Sequence, residues 1–254
     1  MWIAASGMEA QQARSDNIAN NMANVNTTAF KKGVTHFEDM LYQTLQSPGS
    51  DTNNTVLPVG IQMGTGVRMA SASKVFTQGP LESASSDLDL AIEGRGFFQV
   101  QLKDGTTAYT RDGHFSMDGN GKVVTNDGLE VIGFPSLDTN ATSITIGADG
   151  SVNVFVDGES VNKGTIQIAR VPNPEGLAYM GNNLYLETVG SGTPQTGTPG
   201  DQNFGNVAQH YLEGSNVEIV NEMVDLIAAQ RAYELNSKSV KTADEMLRMA
   251  ANLK

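Results

Sequence analysis

Apolar positions are spaced one way at the two ends of the chain and another way between them. At the start, Met1, Ala4, Met8, Gln11, Ser15, Ile18, Met22 and Val25 step by alternating threes and fours, the spacing of a helical seam. At the end, Ile219, Met223, Leu226, Gln230, Tyr233, Ser237, Val240, Asp244 and Leu247 repeat it, thickened by Val217, Val220, Val224 and Ile227. This predicts an N-terminal helix running to about Asn24 and a longer C-terminal one. A lone amphipathic helix cannot bury its stripe, so the simplest closed arrangement pairs the two ends as a coiled-coil-like unit and implies an assembling protein.

An amide stripe, Asn17, Asn20, Asn21 and Asn24, runs beside the first apolar one. Asn is a poor helix former because its side chain competes for the backbone. Four on one face are either a solvated polar surface or, as the uncharged neighbours Ile18, Met22 and Val25 favour, amides buried between helices to fix register. The segment Phe37 to Tyr42 reads as helix or strand. From Gln46 to Gly66 the chain is breaker-rich and nearly uncharged, which predicts an extended loop or a hairpin.

The middle of the chain is punctuated differently. Asp87 to Ile92 alternates polar and apolar, Phe97 to Leu102 follows a glycine-rich turn, and Asp104-Gly105 closes a hairpin onto Thr107 to Thr110. Turn pairs recur at Asp112-Gly113, Asp118 to Gly121, Asn126 to Gly128, Asp149-Gly150 and Asp157-Gly158, an all-β rhythm. Residues 190–205 read as a Gly/Ser/Thr/Pro linker. The expected fold is mixed α and β. It has a helical domain of residues 1–33 paired with 206–254, an extended segment 34–76, and an inserted β domain 77–205.

Composition narrows the function classes. The formal net charge is −12 and the 16 Lys and Arg are scattered, which argues against nucleic acid and against an anionic membrane surface. With no cysteine, disulfides and thiolate chemistry are excluded. No apolar run reaches the roughly 20 residues of a membrane span, and the first residues lack the pattern of a cleavable secretory signal. Periodicity and composition alone would place such a chain in the cytoplasm.

Each catalytic or metal-binding pattern fails on its spacing. Asp118-Gly119-Asn120-Gly121-Lys122 opens like a calcium loop, but Leu129 stands where a bidentate glutamate is required. Neither Gly94-Arg95-Gly96 nor Gly64-Thr65-Gly66 completes a phosphate-binding loop. His36, His114 and His210 are far apart in sequence and read as surface or hydrogen-bonded loop histidines. Asp87 and Asp89 read as solvent-facing positions of a short strand rather than a glycosidase pair. No cofactor, metal, catalytic residue or small-molecule substrate is expected.

The run Ile18 to Lys31, with its Asn-Val-Asn-Thr-Thr-Ala-Phe-Lys, resembles the N-terminal signature of the bacterial flagellar rod and hook family. Ser215-Asn216-Val217 with Glu222 to Val224 and Ile227 to Lys238 is similar to the family's C-terminal signature, and Asp87 to Phe98 and Tyr109 to Gly133 resemble its β domain. Phe37 to Thr44 and the stretch from Pro48-Gly49 through Leu57-Pro58 to Arg68 are similar to the distal-rod branch; a proximal-rod or hook relative is the alternative, and a secreted carbohydrate-active enzyme or an adhesin is more remote. The family usually has glycine where this chain has Ala29, a change that restricts the backbone.

The resemblance implies a structural subunit, not an enzyme, exported without a cleaved signal and polymerised helically into a rigid hollow shaft across the periplasm. The implied partners are further copies, proximal rod proteins, the hook protein and the surrounding L and P ring proteins. The expected polymerisation interface comprises Met8, Asn17, Ile18, Asn20, Asn21, Met22, Asn24, Val25, Val220, Met223, Ile227 and Tyr233. The expected stiffness segment includes Tyr42, Gln43, Pro48, Gly49, Leu57 and Pro58.

Overall fold

A computed structural model describes residues 2–46, 51–52, 55–56, 60–156 and 159–252. The chain divides into two compact units, one of residues 1–23, 33–74 and 218–254, the other of 24–32 and 75–217.

The first unit carries both long helices, α1 (Trp2–Ala23) and α2 (Ile219–Asn252). At 1.5 Å per residue they span about 33 and 51 Å. They run antiparallel: Arg14 pairs with Asp225 at 2.9 Å and Asn21 donates to Glu222 at 3.1 Å. Farther along, a Cβ placed on Gly7 would meet Asn236 at 2.9 Å, so glycine there permits close approach of the helices. No helix among the described residues is long and apolar enough to cross a membrane.

Residues 33–74 form a nested β arm. The strands are β1 (Gly33–Asp39), β2 (Gln43–Gln46), β3 (Asp51–Thr52), β4 (Thr55–Val56), β5 (Ile61–Met63) and β6 (Val67–Lys74), paired antiparallel as β1 with β6, β2 with β5 and β3 with β4. The ambiguous Phe37 segment is therefore strand, and the breaker-rich connection takes the hairpin alternative. The base of the arm lies along α1. Asn21 exchanges hydrogen bonds with Gly33, and Ser6 Oγ accepts from Val67 N at 3.4 Å. Seven strand residues cover about 23 Å and the fifteen helical steps from Ser6 to Asn21 about the same, which lets one ribbon edge track the helix.

The second unit is β-rich. Its strands are β7 (Leu81–Ser83), β8 (Leu90–Glu93), β9 (Phe98–Gln101), β10 (Thr107–Thr110), β11 (Phe115–Met117), β12 (Val123–Thr125), β13 (Glu130–Ile132), β14 (Ser143–Ile146), β15 (Ser151–Val156), β16 (Glu159–Thr165), β17 (Ile168–Arg170), β18 (Ala178–Gly181), β19 (Leu184–Leu186), β20 (Gln195–Gly197), β21 (Asn206–Gln209) and β22 (Tyr211–Glu213). A seven-stranded antiparallel sheet has the order β11-β12-β13-β9-β10-β19-β18, and β14-β15-β16 form a separate meander. The turns at Gly105, Gly121, Gly128 and Gly150 all have positive φ, as Asp-Gly and Asn-Gly hairpins require. Asp118 to Lys122 closes the β11–β12 hairpin, and Asp157-Gly158 lies outside the described residues.

Three expectations need correction. Asp112-Gly113 is a close crossing rather than a hairpin turn: Leu90 N donates to Gly113 O, and a Cβ on Gly113 would strike Leu90 O. Asp89 does not face solvent; it is buried and its Oδ1 lies 2.6 Å from His114 Nδ1. The following strand β8 has Leu90, Ala91 and Ile92 all fully buried, so apolar packing continues on both faces and draws its flank inward. Residues 190–205 are not a free linker. Gln195–Gly197 pairs with β17, Ser191 is buried, and Phe204 packs against the main core of Leu90, Ile92, Phe98, Val152, Val154, Ile166 and Ile168.

Candidate assembly interface

In the helical unit four large apolar side chains in the first turns of α2 do not face α1. The buried position Ala229 and the contacts through Glu222, Asp225 and Asn236 place the α1-facing side of α2 on one line. At 100° per residue, Val220, Met223, Val224 and Ile227 fall on the opposite side. Those four are between 49% and 68% exposed. The internal contact thus includes small and polar residues; Met223 of the predicted stripe and the flanking Val220, Val224 and Ile227 are left outside, while Leu226 and Val240 of that stripe are half-buried. Ile219 and Tyr233 are also exposed, as are Met246, Leu247 and Met249 in the last turns.

On α1 the inward positions are Ala10, Ile18 and Asn21, while Met8, Asn17 and Met22 are half-buried and Asn20 is exposed; Asn24 and Val25, half-buried, follow the helix. The amide stripe is therefore split in use. Asn21 Nδ2 donates to Gly33 O at 3.0 Å and to Glu222 Oε2, and its Oδ1 accepts from Gly33 N at 2.8 Å. Asn17 adds a second donor to Gly33 O at 2.8 Å. One buried amide thereby ties α1, β1 and α2 together, and a Cβ on Gly33 would lie 2.5 Å from Asn17 Oδ1.

The arm offers a second apolar surface. Leu41, Tyr42, Leu45, Ile61, Met63 and Met69 are all more than half exposed on two-stranded ribbon. Such ribbon is marginal on its own. Gln43 opens β2 opposite Met63, whereas Pro48, Gly49, Leu57 and Pro58 lie outside the described residues.

The β unit contains an ionic hub that local sequence patterns did not reveal. Glu213, fully buried at the end of β22, ion-pairs with Lys31 through one oxygen and with Arg111 at 3.2 Å through the other. Lys31 Nζ also donates to Thr77 O at 2.8 Å, Gly79 N donates to Glu213 Oε1 at 3.0 Å, and Arg111 donates to Ile92 O and Gly94 O. Burial pushes the Lys31 ammonium below the ordinary lysine range, with Glu213 opposing that shift. Asn216 completes the junction: it accepts from Lys32 N at 2.7 Å and donates to Val75 O at 2.8 Å. The residues that follow α1 and those that precede α2 are therefore bound into one β framework.

Ala29 belongs to the same junction, fully buried at φ 55°, with its N–H on Glu213 O at 2.7 Å. The left-handed backbone there is what glycine would adopt without strain.

This geometry leaves apolar faces of α2 and the arm exposed, and sequence comparison decides the family. Residues 1–31 match the family model described as flagella basal body rod protein, 91–154 the flagellar hook protein FlgE/F/G D1 domain, and 208–253 the flagellar basal body rod FlgEFG protein C-terminal. The flagellar basal-body rod protein FlgG of Borreliella burgdorferi is 48% identical, over 100% of this chain and 98% of its own length. The chain belongs to the flagellar basal-body rod protein family. Caulobacter vibrioides supplies an internal contrast. Its FlgG is 45% identical over 99% of this chain, while its FlgF is 37% identical over 92%. The chain thus follows the FlgG branch more closely, and the alignment with FlgG includes the β arm.

Proposed function

We propose that this chain is a structural subunit of the flagellar distal rod, polymerising helically into a rigid hollow shaft in the periplasm-spanning basal body. The shaft transmits torque from the motor to the hook. The observation that carries the reading is the exposed face of α2, Val220, Met223, Val224 and Ile227, opposite the side that meets α1. Fully burying a side chain of this size is worth about 1.5–3 kcal/mol. Covering the exposed half of four contributes on the order of 4 kcal/mol per copy. A face on every copy that meets a different face of the next gives an open helix where the rotation between copies does not close.

In this reading the antiparallel helices act as a coiled-coil-like layer. The arm packs between neighbours and stiffens the shaft. Met8, Asn20, Met22, Val25 and Tyr233 lie at the edges of the contact. Ile18 and Asn21 support it from inside the unit. Proximal rod proteins and the hook protein meet the two ends, and the L and P ring proteins surround the shaft.

The test is Val224→Asp combined with Ile227→Asp. Both sites are exposed in the single chain, so its thermal midpoint should hold within a few degrees. Rods and swimming should be lost. Normal rods carrying both aspartates would overturn the reading.

A further inference from the structure

The β unit holds a basic pocket that the helical contacts do not use. Its cavity of about 230 Å³ is lined by Arg95, Arg111 and Arg170 with Phe76 and Phe97, and no lining residue is acidic. That is below the roughly 300–1,000 Å³ of small-molecule sites, and suits one side-chain head and a few waters. The aromatic wall is rigid: Phe76 meets Phe97 edge-on at 5.6 Å and Tyr185 at 5.2 Å, and the Arg111 guanidinium lies 5.4 Å from the Phe97 ring centre.

The charge there is unbalanced. Arg95 and Arg170 form no ion pair among the described residues. Arg111 is 5% exposed in its side chain, and its buried Nε–H has no hydrogen-bond partner among them. In the hub, Lys31 and Arg111 both meet the carboxylate of Glu213. A chain of net charge −12 with 28 Asp and Glu thus concentrates cations at one aromatic-walled cavity, the setting in which planar guanidinium groups take a carboxylate.

We infer that this pocket is a carboxylate socket which receives an Asp or Glu side chain from a second copy of this chain. The inference rests on the rod reading above. The acidic surface of each copy supplies the ligand, and the socket fixes the rotational setting of the β units in the shaft.

The test converts proximity into a bond. Arg95→Lys and Arg170→Lys keep the charge and introduce amines that a water-soluble carbodiimide couples only to carboxylates in contact. Isolated basal bodies carrying each variant are treated and digested for mass spectrometry. Lys122 with Glu130 and Lys163 with Asp138, each at 2.8 Å within one chain, are the internal controls. The expected result is an amide between the amine at 95 or 170 and an acidic residue of another copy, absent from dilute monomer. Control links without it, or links from those amines only to a different protein, overturn the inference while leaving the rod reading intact. Absence of the unsubstituted chain from basal bodies refutes both. If the variants fail to incorporate, glutarate added to the purified chain decides. Saturable shifts of the Arg95 and Arg170 Nε–Hε NMR signals uphold the socket, and their absence overturns it. Arg95→Gln with Arg170→Gln should raise the concentration needed for polymerisation about tenfold, the equivalent of 1.4 kcal/mol.

Discussion

Glu213→Gln exchanges one heavy atom at the centre of the buried hub. It keeps the shape of the side chain and removes one negative charge from between Lys31 and Arg111, both held in a fully buried setting. Removing one partner from a buried ionic network typically costs 3–5 kcal/mol, because the remaining charge is stranded. Here two cations are stranded together. Lys31→Met is the informative comparison, since it leaves the Arg111–Glu213 pair neutral and Glu213 still accepting from Gly79 N; about 1–3 kcal/mol is expected.

The assay is urea unfolding followed by near-ultraviolet circular dichroism, where buried Tyr109 and Tyr185 report the β unit. With a slope of about 2 kcal/mol/M, Glu213→Gln should lower the midpoint by about 1.5–2.5 M and Lys31→Met by no more than half as much on average. The pH dependence follows in sign. Lys31 has a folded-state pKa below its unfolded value, so between the two the unfolded chain binds more protons and stability rises with pH. Glu213→Gln removes the group opposing that shift and should extend the rise toward neutral pH. A cost for Glu213→Gln below that of Lys31→Met, or below about 1 kcal/mol, would refute the reasoning.

Other changes probe the junction and the helices. At Ala29, glycine relieves about 1–2 kcal/mol of left-handed strain but forfeits about 0.8 kcal/mol of methyl burial and about 0.5–1 of chain entropy. Ala29→Gly should therefore leave the midpoint nearly unchanged, whereas Ala29→Val should cost more than 2 kcal/mol by the same denaturation assay. Asn21→Ala removes all three hydrogen bonds that the amide makes to Gly33 and Glu222; about 2–3 kcal/mol of the helical unit's stability should go, read from helix ellipticity on heating. Gly33→Ala should disturb the same joint, since its Cβ would collide with Asn17; hydrogen exchange at the base of the arm should accelerate, and unchanged protection would count against the clamp.

Local patterns made some of this legible and hid the rest for identifiable reasons. The two terminal helices, the turns at Gly105, Gly121, Gly128 and Gly150, and the strand pairing among the described residues of 46–66 follow from spacing and backbone freedom. The hub does not follow from spacing, because Lys31 and Glu213 are 182 positions apart and neither lies in an unusual local context. The same holds for Asp89, whose alternation reads as a surface strand until β8 is seen to be covered on both faces. Large apolar residues ordinarily face the nearest partner, so spacing alone does not separate the side of α2 that meets α1 from the face expected at the polymerisation interface. In the structure Ala229, Glu222 and Asn236 line the side toward α1, and Val220, Met223, Val224 and Ile227 are exposed.

That division of α2 is the centre of the account, and electron cryomicroscopy of the rod assembled from this chain tests it most directly. The account predicts Val220, Met223, Val224 and Ile227 buried against neighbouring copies, with the Asn21–Gly33–Glu222 joint unchanged inside each copy. A rod in which those four side chains face solvent would contradict it.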